Sequence, residues 1–92
     1  MRYYSDPATG EPHIYGHGVS ETEVEDVLGA PGEDRPGRAG SRIATGQTQD
    51  GRYLRVIYAP SRDADGLFVI TAYELHGKPL RAFVRRMKRK RR

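Results

Sequence analysis

Residues 52–59 read Arg52-Tyr53-Leu54-Arg55-Val56-Ile57-Tyr58-Ala59, and their alternation decides the fold. Leu54, Val56 and Tyr58 share one face of a period-two chain, while Tyr53, Arg55 and Ile57 share the other. That pattern predicts a β-strand with one side on a core. Upstream, Asp50-Gly51 supplies the residues of a tight hairpin turn, which makes Arg42–Gln47 an antiparallel partner. Downstream, Pro60 through Gly66 reads as a longer hairpin loop leading into Leu67–Tyr73. This last strand is apolar on both faces and is expected to be the most buried of the three. The sheet is therefore expected to be a three-stranded antiparallel meander over residues 42–73.

Helices are expected on either side of it. Ser20 can cap a helix, Glu23 stands three residues later as its capping-box partner, and Val19 with Val24 forms a hydrophobic staple. Glu21, Glu23, Glu25 and Asp26 favour the positive N-terminal end of the helix dipole. Val24, Val27 and Leu28 make a narrow apolar stripe, and Gly29 followed by Pro31 ends the helix, which spans 19–29. At about ten residues it is too short to persist alone and must pack on a partner. Residues 29–41 read as a mobile loop and residues 1–18 as an irregular segment with a short extended piece near Arg2–Tyr4. A second helix begins near Pro79, a residue suited to the first helical position, and runs over 79–90. Its Leu80, Phe83, Val84 and Met87 recur at helical spacing beside a stripe of Arg81, Arg85, Lys88 and Arg92. Arg91 falls back on the apolar side, so fraying is expected beyond residue 90.

Length and composition set the outer bounds. Ninety-two residues make one small domain of the α+β class. Twelve of the seventeen Val, Ile, Leu and Phe residues fall between positions 41 and 87, a globular density there. The absence of cysteine excludes disulfides, a thiolate nucleophile and sulfur-ligated zinc. No apolar run is long enough for a membrane span and no secretory signal is visible, so a cytoplasmic protein is expected. The net charge of +4 conceals a division. Residues 1–77 carry seven Lys/Arg against twelve Asp/Glu, while residues 78–92 carry nine Lys/Arg and no acid. Such asymmetry points to a polyanionic partner, with nucleic acid first.

Lys78, Arg81, Arg85, Arg86, Lys88 and Arg89 are therefore the candidate phosphate contacts. In His76-Gly77-Lys78-Pro79, Lys78 stands where a helix N-terminus presents free N–H groups, a combination that fits a phosphate equally with a plain turn. Cleaving RNA without a metal takes a base for the 2′-hydroxyl, a cation for the phosphorane and an acid for the 5′-oxygen. His17, Tyr73, Glu74 and His76 are candidates for proton transfer and Arg42 and Arg52 for the cation. His13 and His17 stand four apart, yet Pro12 and the nearby glycines speak against a regular metal-binding helix. No glycine-rich phosphate loop and no G-x-S-x-G elbow is present. No metal and no cofactor is expected.

Three blocks carry a family resemblance. They are His17-Gly18-Val19-Ser20 opening a helix, Arg42-Ile43-Ala44-Thr45-Gly46-Gln47-Thr48 with Asp50-Gly51-Arg52, and Val69-Ile70-Thr71-Ala72 closing the sheet. In this order the chain resembles the BrnT-like toxins of bacterial type II toxin–antitoxin pairs, within the wider RelE/ParE superfamily. The resemblance implies a small α+β domain, metal-independent RNA cleavage often linked to translation, and a small antitoxin encoded nearby that blocks the toxin and binds DNA with it. It carries over His17, Arg42 and Arg52 alone. Where those toxins continue the third strand into an Arg and a charged helix start, this chain has Tyr73-Glu74-Leu75-His76-Gly77-Lys78-Pro79, and its basic helix resembles a divergent side branch. A non-catalytic nucleic-acid-binding module is the alternative, and a protein whose basic end docks on an acidic partner is a third reading.

Overall fold

The computed structural model of the chain describes residues 1–61 and 66–90. In chain order it contains β1 (Arg2–Tyr3), α1 (Glu21–Gly29), β2 (Glu33–Pro36), β3 (Arg42–Gln47), β4 (Tyr53–Pro60), β5 (Leu67–Glu74) and α2 (Gly77–Lys90), with a 3-10 turn over His13–His17. The α+β class is as expected, but the sheet has five strands in the order β1-β5-β4-β3-β2. The expected three-stranded meander is its centre, β3-β4-β5, joined by antiparallel pairing. β2 adds an antiparallel edge inside the stretch expected to be a loop, pairing Glu33 with Thr45 through Pro36 with Arg42. β1 adds a parallel edge of two pairs, Arg2 with Phe68 and Tyr3 with Val69. The expected loop from Pro60 to Gly66 falls largely outside the described residues, as does the fraying expected at Arg91 and Arg92.

The pleat of β4 behaves as its sequence dictates. Leu54, Val56 and Tyr58 are buried, and Tyr53, Arg55 and Ile57 are half-buried on the opposite side. The buried side, here the inner face, meets α1. Ile14, Val19, Val24, Val27, Ala44, Leu54, Val56, Val69 and Ala72 form one core there. α1 is fixed by the capping box, since Glu23 N–H donates to Ser20 Oγ at 3.1 Å and Ser20 N–H donates to Glu23 Oε1 at 3.1 Å. Val19 and Val24 are both buried, as a staple requires. Gly51 takes the turn between β3 and β4 at φ +92°, a left-handed conformation that favours glycine.

β5 is not the most buried strand. Only Val69 and Ala72 are buried along it, three residues apart, because the register slips between Ile57 and Tyr58 and leaves Ile70 without a partner. This bulge returns both Val69 and Ala72 to the inner face, which strict alternation forbids.

α2 starts at Gly77, two residues before the expected Pro79, and lies against the other side of the sheet, the outer face. Its anchor is Phe83, 2% exposed, whose ring meets Tyr53 edge-on at 6.0 Å between centroids. Gly32 makes the approach possible: a Cβ there would stand 2.7 Å from the Phe83 ring and 2.8 Å from the Met87 sulfur. Leu80, Val84 and Met87 remain only half-buried. A cleft of about 380 Å³ opens between α2 and the adjoining ends of β3 and β4, lined in part by Gly46, Gln47, Tyr53, Phe83, Val84 and Lys88.

Candidate active site

Among the described residues, some cations are locked on carboxylates and others form no ion pair or hydrogen bond. Arg52 is the most heavily engaged. It leaves the β3–β4 turn on the inner face and donates to Glu23 Oε2 at 2.8 Å, to the Gly18 carbonyl at 3.0 Å and to Glu74 Oε1 at 3.2 Å. Burial works against its charge, but Glu23 and Glu74 hold its pKa above the ordinary guanidinium value. One residue thereby ties the start of α1 to the end of β5.

Around this tie gather most of the side chains expected to move protons. Glu74 follows Tyr73 at the end of β5, and His76 Nε2 stands 4.0 Å from Glu74 Oε1. The His17 ring lies 6.4 Å from the Tyr73 ring. His17 Nε2 is 3.2 Å from His13 Nε2, one ring donating and the other accepting. Pro12 and the glycines keep this stretch from a regular α-helix, and the 3-10 turn over His13–His17 brings the two rings together instead. That turn is held by the N-terminal segment, where Tyr4 N–H donates to the Val69 carbonyl and His13 N–H to the Tyr4 carbonyl, both at 2.8 Å. His17, Tyr73, Glu74, His76 and Arg52 thus share one end of β5, and His13 joins them.

Arg42 does not. It lies at the far end of the β3–β4 hairpin, about 20 Å of strand away from Arg52, and donates to Asp34 Oδ1 at 2.8 Å and to the Asp34 carbonyl at 3.1 Å. The Tyr58 hydroxyl donates to the other oxygen of Asp34. These two donors hold the Asp34 carboxyl below its usual range, Tyr58 contributing most, while burial and Asp34 together push the Tyr58 hydroxyl up. Arg42 therefore pins the β2 edge.

Arg86, expected to touch phosphate, is also occupied. It donates in a fork to Glu33, with Nη2 to Oε1 at 2.9 Å, and Arg35 adds a contact at 3.1 Å to Oε2. Glu33 is 8% exposed, and a carboxylate this buried needs such partners. The hydrogen bond from Arg86 holds its pKa below the ordinary value against the opposing effect of burial.

The remaining candidates are different. Lys78, Arg81, Arg85, Lys88 and Arg89 are exposed and form no ion pair or hydrogen bond among the described residues. Arg81, Arg85 and Lys88 border a shallow apolar depression with Leu80 and Val84. α2 carries no acid at all, so this ridge keeps its full charge. Sequence reasoning also passed over Arg55, a half-buried guanidinium on the outer face whose Nε is closed to solvent without a hydrogen-bond partner. Its only signal was a charge at an alternating strand position, which reads as an ordinary solvent-facing residue.

Among the described residues no group of three or more His, Asp and Glu side chains is placed to hold a metal ion. Nor is any described helix long and apolar enough to cross a membrane. A family model described as a domain of unknown function, DUF4258, matches residues 16–74, from the His17 turn to the last residue of β5, and the chain belongs to that family. No curated protein and no solved structure matches it.

Proposed function

We propose that this member of the DUF4258 family is a toxin-like, metal-independent endoribonuclease acting in the cytoplasm and held in check by a small antitoxin encoded beside it. The observation that carries this reading is the meeting of His13, His17, Tyr73, Glu74 and His76 at one end of β5, directly before a helix that carries five cations without a partner among the described residues. An imidazole pair provides what transesterification of RNA requires, one nitrogen to take the 2′-proton and one to protonate the leaving 5′-oxygen. Glu74 and His76 extend the proton-transfer set. Lys78, Arg81, Arg85, Lys88 and Arg89 draw the phosphodiester backbone to the site and neutralise it along its length. The resemblance to BrnT-like toxins points the same way for reaction and antitoxin.

The test is direct. Purified protein incubated with RNA in excess chelator should yield fragments ending in 2′,3′-cyclic phosphate. The variant His13→Ala/His17→Ala should lose at least about 100-fold in rate, and induction of the parent protein in a bacterium should slow growth while the variant does not. Intact RNA after long incubation with folded parent protein overturns the nuclease reading.

A second reading, a nucleic-acid-binding module without catalysis, is favoured by one observation: Arg42 and Arg52, the two cations expected to face the reacting phosphate, are both committed to carboxylates. Under it, salt-dependent RNA binding survives and no cleavage is found.

A further inference from the structure

We infer that the outer face of the sheet contains an anion site centred on Arg55, which receives a phosphodiester of the bound RNA. The inference rests on the RNA-directed reading above and supplies the cation that Arg42 and Arg52 do not. Arg55 sits mid-strand in β4, between Leu54 and Val56 of the inner core, so the pleat turns it outward. Its cross-strand neighbours are Tyr73 on β5 and Thr45 on β3, and Thr45 is in turn opposite Glu33 on β2. One rung of the sheet thus reads Tyr73, Arg55, Thr45, Glu33, with the His17 ring just beyond Tyr73.

The two carboxylates nearest in register do not serve Arg55. Glu33 shares its face but is held by Arg86 and Arg35. Glu74 is one residue beyond Tyr73, is turned to the inner face by the pleat, and is held by Arg52. Arg55 makes no ion pair or hydrogen bond among the described residues, and its Nε is shut off from water. Arg35, Arg42 and Arg52, by contrast, each reach a carboxylate. A guanidinium kept half-buried with a donor unsatisfied is destabilising, and folding alone gives no reason to retain it. A shift of the side chain toward an incoming phosphate oxygen would satisfy it and present a planar fork suited to that geometry.

The surroundings select a nucleotide over a small free anion. Tyr53 and Tyr73 flank Arg55 on the same face, one along the strand and one across it, and offer rings for base stacking. The cleft beside Tyr53 leads to the unpaired Lys88 of α2. A strand of RNA passing from the α2 ridge over Tyr53 would bring a phosphate onto Arg55 with the His17 pair at its far side. The phosphorane formed in cleavage gains negative charge at that point, where a preorganised cation counts most.

The experiment follows the Arg55 side-chain Nε–H resonance of the full chain by NMR while inorganic phosphate, and then a uridine–adenosine dinucleotide, is titrated. Both should move it, the dinucleotide at concentrations at least about tenfold lower because the tyrosines also take part. An unmoved resonance overturns the site whatever a nuclease assay gives. A moved resonance on a protein that leaves RNA intact keeps the site and removes the nuclease reading alone. Arg55→Gln should lower cleavage about 100-fold or more while RNA affinity falls less than tenfold. Arg55→Met should melt at or above the parent temperature, because an unsatisfied charge has been removed. A fall of about 5 °C or more would assign Arg55 to structure and overturn the proposal.

Discussion

The two faces of the sheet treat the same kinds of residue in opposite ways. On the inner face, α1 lies over Leu54, Val56 and Ala44 with its own Val24 and Val27, all fully buried. Each arginine reaching that face, Arg42 and Arg52, ends on a carboxylate. On the outer face, α2 is fastened through Phe83 and the Arg86–Glu33 fork, and Arg55, Tyr53, Ile57 and Tyr73 stay half-open. Both helices are amphipathic, but α1 spends its polar residues on closure. Its Glu23 caps the helix and also holds Arg52. α2 commits Arg86 to Glu33 and Lys90 to the Gly32 carbonyl, and leaves Lys78, Arg81, Arg85, Lys88 and Arg89 without a partner among the described residues. The contrast separates a closed side from a half-open one that leaves several cations without a partner among the described residues.

The largest break in this comparison comes from a cavity on the inner face. Leu54→Ala should destabilise the protein by about 4 kcal/mol in urea unfolding, whereas Ile57→Ala on the half-open face should lose about 1 kcal/mol. Equal losses would mean the outer face is as tightly packed as the inner.

Next in size is the release of α2. Phe83→Ala should lower the free energy of local opening over Gly77–Lys90 by about 3 kcal/mol, seen as faster amide exchange there. The β4 amides should keep their protection, because α2 does not belong to the inner core.

Acid should expose the ion pairs next. Glu33 and Asp34 have depressed folded pKa values, so the stability they contribute is present above the ordinary carboxylate range and is lost as pH falls through and below it. Melting temperature measured from pH 6 downward should fall, and Glu33→Gln should flatten part of that slope. The same change should lower stability at neutral pH, since Arg86 then faces a weaker partner.

The smallest effect on folding belongs to the ridge. Arg81→Gln with Arg85→Gln should change stability by less than about 0.5 kcal/mol. It should, however, reduce the slope of log affinity for RNA against log salt by about 2. A large loss of stability would place these residues inside the folded contacts of α2.

What the sequence disclosed was local. The capping box at Ser20 and Glu23, the Asp50-Gly51 turn and the alternation of β4 each depend on neighbours a few residues away, and each is present. β2 was hidden because Glu33-Asp34-Arg35-Pro36 has no apolar residue. Its strand character comes from pairing with β3 and from Arg42 and Arg86 drawing its acids inward. β1 was legible only as an extended piece, since its two pairs are parallel and lie 66 positions along the chain. The bulge at Ile70 depends on register and cannot be read from hydropathy. At the site, the residue types were legible and their grouping was not. Arg42 and Arg52 look alike in a string of letters, and the strand between them sends them to opposite ends. Arg86 lies among equally basic neighbours, and only the fold selects it for Glu33.

The parallel pairing of β1 has a consequence for how the protein comes off the ribosome. Arg2 and Tyr3 cannot find Phe68 and Val69 until those residues have been made, and Tyr4 then anchors the turn that carries His13. At about 5–20 residues per second, that interval is roughly 3–13 s. During it the His13–His17 turn lacks the anchor that Tyr4 gains from the Val69 carbonyl. The nascent chain therefore completes this edge of the sheet only after the β3–β4 hairpin has had time to form.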